Sequence, residues 1–150
     1  MAEQPTIRLV EHDSPEYWAT VALRDAVLRR PLGLKFTPEE LAAECRSLHI
    51  AGFCDETLAG CLVLVPGDGG RVRMRQVAVA PELQRRGIGR ALVAFSERLA
   101  VRQGFTAMIL HARDTAVPFY ENLGYVRVGR PFEDVTILHW EMAKDLTESL

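Results

Sequence analysis

Residues 77–92 limit what this chain can fold into more than any other stretch. An apolar run, Val77-Ala78-Val79-Ala80, meets Pro81 and then the basic, glycine-bearing turn Gln84-Arg85-Arg86-Gly87-Ile88-Gly89-Arg90. Beyond it Ile88, Leu92, Phe95 and Leu99 recur at steps of four, three and four, the spacing of one helix face. The apolar run reads as the buried end of a strand. A buried strand must therefore feed directly into an amphipathic helix, which requires a sheet with helices packed on it.

The turn itself is suited to an anion. The first N–H groups of a helix lack internal partners, and the helix dipole adds partial positive charge there. Gly87 and Gly89 remove side chains that would keep a phosphate from the backbone, and Arg85, Arg86 and Arg90 add full charges. A diphosphate fits this description. The plainer alternative is a helix start with glycines for close packing and solvated arginines. Two nucleotide signatures fail. Gly89 is followed by Arg90-Ala91, where a P-loop needs Lys-Ser/Thr, and Gly87-Ile88-Gly89-Arg90-Ala91-Leu92 lacks the third glycine of a dinucleotide fingerprint.

The rest of the chain agrees with a layered fold. Residues 6–11 alternate as an opening strand. Asp13 or Ser14 caps a first helix whose apolar side is Trp18, Val21, Ala22, Val27 and Leu28, ended by residues 29–33. Thr37-Pro38-Glu39-Glu40 is a capping box that opens a short helix to Cys45. Residues 49–54 and 58–65 form a hairpin, and 71–79 a strand that is edge-like where Arg71, Arg73 and Arg75 alternate and buried at its end. A strand at 106–112, a helix opened by Asp114 or Thr115 and ending at Asn122, and strands at 125–129 and 135–142 joined by a loop over 130–134 complete it. The order β-α-α-β-β-β-α-β-α-β-β describes one mixed α/β domain over residues 1–150.

Composition narrows the class of ligand. The net charge is −2, yet residues 71–103 hold eight arginines against Glu82 and Glu97. That leaves +6 on this segment and −8 on the remainder. One concentrated basic segment on a mildly acidic protein suits a small polyanion, and it lacks the interleaved aromatics of a single-strand nucleic-acid binder. Nucleic acid is not expected as a partner. No apolar run approaches membrane-spanning length, and Met1 to Pro5 has no signal-peptide character. Cys45, Cys54 and Cys61 read as reduced packing thiols of a cytoplasmic protein, and nothing is spaced as a metal site.

Residues 77–92 resemble the acetyl-CoA motif of the GNAT superfamily of N-acetyltransferases, Gln/Arg-x-x-Gly-x-Gly/Ala after a strand. Ala116-Val117-Pro118-Phe119-Tyr120-Glu121-Asn122-Leu123-Gly124-Tyr125 resembles a second block of that family, Ala-x-x-Phe-Tyr-Glu-Lys-Leu-Gly-Phe. The resemblance implies a single mixed, mostly antiparallel sheet flanked by helices, with a splayed strand pair holding the acyl-CoA. It implies that Gln84, Arg85, Arg86, Gly87, Ile88, Gly89 and Arg90 wrap the pyrophosphate. It implies that Val77, Ala78 and Val79 border the pantetheine arm, Val77 and Val79 pairing with it through their main chains. Tyr120 matches the tyrosine that protonates the departing thiolate. Arg113 stands where many members carry asparagine, so no cofactor contact is carried over to it.

The implied activity is transfer of acetyl from acetyl-CoA to a primary amine, without a metal. The acceptor is a small molecule or peptide amine, no membrane is involved, and a homodimer is allowed. A non-catalytic acyl-CoA sensor or assembly module on the same fold is the alternative. An alkyl ammonium is almost entirely protonated near pH 7, a deprotonation cost of about 4 to 5 kcal/mol, so a base is needed. Residues 132–142 resemble a subgroup ending Phe-x-Glu-x-Gly-Ile-Pro-His-x-x-Met, which puts Asp134 in the glutamate's place and His139 on the histidine. Glu133, His111, His12 and His49 are lesser candidates. Leu32-Gly33-Leu34-Lys35-Phe36 could close over the acceptor.

Overall fold

A computed structural model describes residues 4–147; Met1, Ala2 and Glu3, part of the stretch read for a signal peptide, lie outside the described residues. The chain runs β1 (Thr6–Val10), α1 (Pro15–Arg24), α2 (Pro38–Ala43), β2 (Leu48–Cys54), β3 (Thr57–Pro66), β4 (Arg71–Val79), α3 (Ile88–Arg102), β5 (Ala107–Arg113), α4 (Val117–Asn122), β6 (Val126–Asp134) and β7 (Ile137–Asp145). The seven strands form one sheet in the order β1-β2-β3-β4-β5-β7-β6. Among the described residues only β4 and β5 pair in parallel; every other neighbouring pair is antiparallel. The mixed, mostly antiparallel sheet flanked by helices is thus as the sequence implied.

Burial on the sheet decides where α3 lies. Ile88, Leu92, Val93, Leu99 and Ala100 are all turned into the core, against Leu62, Leu64, Met74, Met108 and Leu110. Each fully buried leucine contributes about 1.5–3 kcal/mol, more than any difference in helix propensity. Gly60 on β3 sets how close the helix can come, since a Cβ there would lie 2.9 Å from Leu92 Cδ1 and 3.0 Å from the Ala78 carbonyl oxygen.

The first helix departs from its expected face. α1 buries Tyr17, Thr20 and Arg24, while Trp18, expected on the apolar side, is 45% exposed. Arg24 is fully buried because its guanidinium donates to both oxygens of Glu44, at 2.8 and 2.9 Å, and the Tyr17 hydroxyl donates to the same carboxylate at 2.7 Å. A neutralised ion pair can be buried where hydropathy alone forbids it. After Arg24 the helix widens into a π turn over Asp25–Arg29 and a 3-10 turn over Arg30–Leu32, which ends at Gly33 with φ 72°. The regular spacing that would have carried Val27 and Leu28 onto the same stripe is lost there.

The expected loop over 130–134 is also corrected. Those residues belong to β6, which pairs with β7 through Phe132↔His139 and Asp134↔Ile137 after an irregularity between Val128 and Phe132. β6 is an edge strand, so Pro131 can sit in it without breaking the sheet, and the irregularity absorbs the misfit. The reversal falls instead at Val135 and Thr136, with φ of 51° and 59°.

Candidate active site

β4 and β5 pair only from Arg71↔Ala107 to Met74↔Leu110, and beyond that point they part. The cause lies in β4. On β3, Cys61 and Val63 face Ala78 and Arg75, so β4 carries one extra residue, a bulge marked by Gln76 at φ 58°. The Gln76 side-chain oxygen accepts from the buried Arg24 guanidinium at 3.4 Å, tying the bulge to α1.

A cavity of about 510 Å³ opens where the two strands part. Its walls include Gln76 and Val77 of β4, His111 and Arg113 of β5, Tyr120 of α4, and Asp134 and His139 of the β6–β7 hairpin. Leu28, Leu32 and Leu34, in the turns after α1, also line it. The structure therefore brings together the three residues expected to do chemistry, Tyr120, Asp134 and His139.

Tyr120 is 8% exposed, and its ring is held edge-on between Phe119 and Tyr125. Burial pushes its hydroxyl up to about 12, and the hydroxyl has no hydrogen-bond partner among the described residues. It is a protonated phenol at any ordinary pH. His139 is oriented differently. Its Nδ1 lies 2.8 Å from the Ile137 carbonyl oxygen, and a carbonyl only accepts, so Nδ1 carries the proton. The Nε2 lone pair of the neutral ring is thereby left free. Phe132 stacks on this ring at 5.7 Å and fixes its plane.

Asp134 closes β6 beside the Val135-Thr136 turn, whose two positive φ values define the tight geometry that normally selects asparagine and glycine. Two β-branched residues there store backbone strain at the cavity rim.

The lesser candidates divide. His111 lines the cavity, but Arg73 donates to its Nδ1 at 2.7 Å and Glu141 lies 3.5 Å from its Nε2. Burial and the Arg73 charge hold its pKa below the ordinary histidine value. With Nδ1 accepting, the proton sits on Nε2 and no lone pair faces an acceptor. Glu133 pairs with Leu138 and does not line the cavity. His12 and His49 pack on Tyr17, beneath α1 and α2.

The turn into α3 provides a second, separate feature. Ala91 N–H makes the first main-chain bond of the helix, to the Gly87 carbonyl, and the N–H groups of residues 85–90 have no main-chain partner among the described residues. Arg85 and Gly87 adopt left-handed φ, 67° and 82°, so successive N–H groups turn toward one concavity. A Cβ on Gly87 would meet nothing within 4 Å, which leaves open space over the helix start. Gly89 is less open: a Cβ there would lie 3.4 Å from Phe119 Cζ, in contact with α4. Arg85, Arg86 and Arg90 are exposed around this concavity. These residues fit a diphosphate, Ile88 through its N–H alone because its side chain is buried.

Along β4 the main chain sorts the neighbouring expectations. Ala80 N–H donates to the Ala59 carbonyl of β3, and strand alternation turns Ala78 the same way. Val77 and Val79 thus direct their N–H and C=O groups to the free edge, toward the cleft. Gln84 Nε2 already donates to the Val79 carbonyl at 3.2 Å. Ala78, paired with Cys61 and buried at its side chain, presents neither main chain nor side chain to the cleft.

Sequence reasoning missed Gln76, Phe132 and the cations Arg75 and Arg113. Of these only Arg75 left a signal, as one of three charges at alternate positions of a strand.

Residues 35–146 match the family model described as an acetyltransferase (GNAT) domain. The chain is similar to YyaT, an uncharacterized protein of Bacillus subtilis (strain 168), 24% identical over 82 residues and 55% of each chain. The match spans about half the length of that relative. Among solved structures, it superposes on an acyl-CoA N-acyltransferase from Pseudomonas aeruginosa with a TM-score of 0.80, at 21% identity over 94% of this chain and 99% of the other. An aminoglycoside 6'-N-acetyltransferase solved with coenzyme A gives 0.80 at 17% identity, over 94% and 97%. The structures share the fold.

Proposed function

This chain belongs to the GNAT acetyltransferase family, and from that premise we propose that it is a single-domain enzyme moving acetyl from acetyl-CoA directly to a primary amine. The observation that carries the reading is the cavity at the β4–β5 split, which has a protonated phenol and an imidazole with a free lone pair on its walls. A sensor would need the turn into α3 but neither of those groups.

Acetyl-CoA supplies an activated thioester; the chain's residues do the rest. The turn over 84–90 holds the diphosphate, and the free edge of Val77 and Val79 aligns the arm that leads into the cleft. His139 Nε2 takes a proton from the acceptor amine, with Asp134 at the same rim to attract its ammonium form. The freed amine nitrogen bonds to the acetyl carbon, the carbon–sulfur bond breaks, Tyr120 gives its proton to the departing sulfur, and the second proton leaving nitrogen restores the phenol. The free thiols Cys45, Cys54 and Cys61 suit a reducing, cytoplasmic setting.

The test is twofold. Calorimetry should show acetyl-CoA binding, and amines added to the enzyme should release free CoA thiol. Acetyl-CoA binding with no amine-dependent release from any amine would favour the sensor. Loss of both would remove the proposal.

A further inference from the structure

Four side chains that carry full charge line the cavity: Arg29, Arg75, Arg113 and Asp134. Arg29 is already engaged, by Glu40 at 3.2 Å and by the Phe36 ring at 4.4 Å. Arg75 and Arg113 have neither an ion pair nor a hydrogen bond from their side chains among the described residues. Arg73, two residues from Arg75 on the same face of β4, donates to His111 and leaves its own Nε buried without a partner. Burial and the nearby Arg75 charge make Arg73 a weaker base than an ordinary arginine. Glu141 and Asp134 offset part of this repulsion at Arg73, which stands behind the wall, whereas Arg75 and Arg113 line the cavity itself with no ion pair of their own among the described residues.

The acyl donor does not bring them an anion. Its diphosphate belongs to residues 84–90, which do not line the cavity, and the pantetheine arm and thioester beyond it are uncharged. The acceptor must therefore supply it. Asp134 faces the same space with no ion-pair partner among the described residues, and it suits the opposite charge.

We propose that the acceptor is a small zwitterion of amino-acid type, its carboxylate held by Arg75 and Arg113 and its ammonium drawn in by Asp134 before His139 takes the proton. This rests on the acetyl-transfer reading above and names its substrate class. Two guanidinium groups can fix a carboxylate's orientation as a single lysine could not. The leucines at 28, 32 and 34 bound a space of small-molecule size rather than a track for a polypeptide. Acetylation removes the ammonium charge, so the Asp134 attraction ends with the reaction and favours release. Polyamines and other polycations meet a wall of their own sign.

The experiment measures CoA release from acetyl-CoA by the full chain with three sets of acceptors: the twenty common L-amino acids, their carboxamides, and spermidine. The best amino acid should exceed its own carboxamide and spermidine by at least about tenfold in kcat/KM. Arg75→Gln and Arg113→Gln, both at exposed positions, should each raise the amino-acid KM about tenfold and leave the carboxamide KM and acetyl-CoA affinity unchanged. Carboxamides or spermidine used equally well would overturn the proposal, as would arginine variants that weaken only acetyl-CoA. Acetyl-CoA binding without turnover of any acceptor also counts against it, whereas absence of acetyl-CoA binding overturns the underlying function as well.

Discussion

His139 and Tyr120 divide the proton transfers of the proposed reaction, and their surroundings dictate how each variant must behave. The Ile137 carbonyl fixes the His139 proton on Nδ1, so His139→Gln removes the only lone pair that group offers the cavity. Its kcat should fall by about 100-fold or more, the usual worth of a general base, with acetyl-CoA affinity unchanged by calorimetry. Tyr120→Phe should also lower kcat with acetyl-CoA affinity kept. Because burial raises Tyr120 to about 12, its acid form persists, and the wild-type kcat/KM should not decline between about pH 8 and 10. A decline in that range would reassign the acid. Tyr120, Asp134 and His139 stand out in the sequence as candidates because each is a reactive residue type within a local pattern, and all three line the cavity. Gln76 could not. Its importance comes from a bulge set by pairing with β3 and from a hydrogen bond to Arg24, 52 residues earlier in the chain. Local sequence likewise shows a strand at Ala78 but not that its N–H and C=O face β3.

At the scale of elements, α1 and α2 are held together by the Arg24–Glu44–Tyr17 cluster rather than by an apolar stripe. Glu44→Gln removes the charge that neutralises a fully buried guanidinium and should cost about 3–5 kcal/mol in chemical denaturation. An Arg24→Met, Glu44→Leu double variant should recover much of that loss, which separates a stranded charge from simple lost packing. Burial alone would raise Glu44, but the hydrogen bonds from Arg24 and Tyr17 outweigh it and hold its pKa below the ordinary carboxylate value. His49, its Nε2 2.9 Å from the Glu44 carbonyl oxygen, is pushed below the ordinary histidine value by burial. In both cases the unfolded chain binds the proton more readily. Stability should therefore decline as pH falls below about 6.5, through His49, and again below about 4.5, through Glu44. Unfolding midpoints measured across that range check it; a flat profile would dismiss both roles. The β6–β7 reversal offers a gain instead. Replacing Val135 and Thr136 by asparagine and glycine relieves two β-branched residues at positive φ and should stabilise by about 1–2 kcal/mol. The number and order of strands and helices were legible because each is a local periodicity. The β6 limits were not, because a proline within an apolar-polar run normally argues against a strand, and only the edge position of β6 admits Pro131.

Across the whole molecule, charge is segregated along the path the donor would take. Residues 71–103 carry eight arginines against two glutamates, while the chain as a whole is at −2. The structure folds that segment into β4 and α3, so Arg85, Arg86 and Arg90 surround the turn over 84–90 and Arg75 lines one wall of the cavity. Such a field draws a polyanion toward one face and weakens as salt shortens its reach, from about 10 Å at 0.1 M to about 3 Å at 1 M. The affinity for CoA should therefore fall several-fold between about 50 and 500 mM sodium chloride. Pantetheine, which lacks the nucleotide and its phosphates, should bind weakly and with little response to salt. Replacing Arg85, Arg86 and Arg90 together by glutamine should flatten the CoA dependence while the N–H groups of residues 85–90 retain part of the affinity. If CoA binding ignores salt in the wild type, the arginines are solvated surface and the backbone alone accounts for recognition. If the triple variant abolishes binding outright, side-chain charge dominates, and the turn's left-handed Arg85 and Gly87 contribute only its shape.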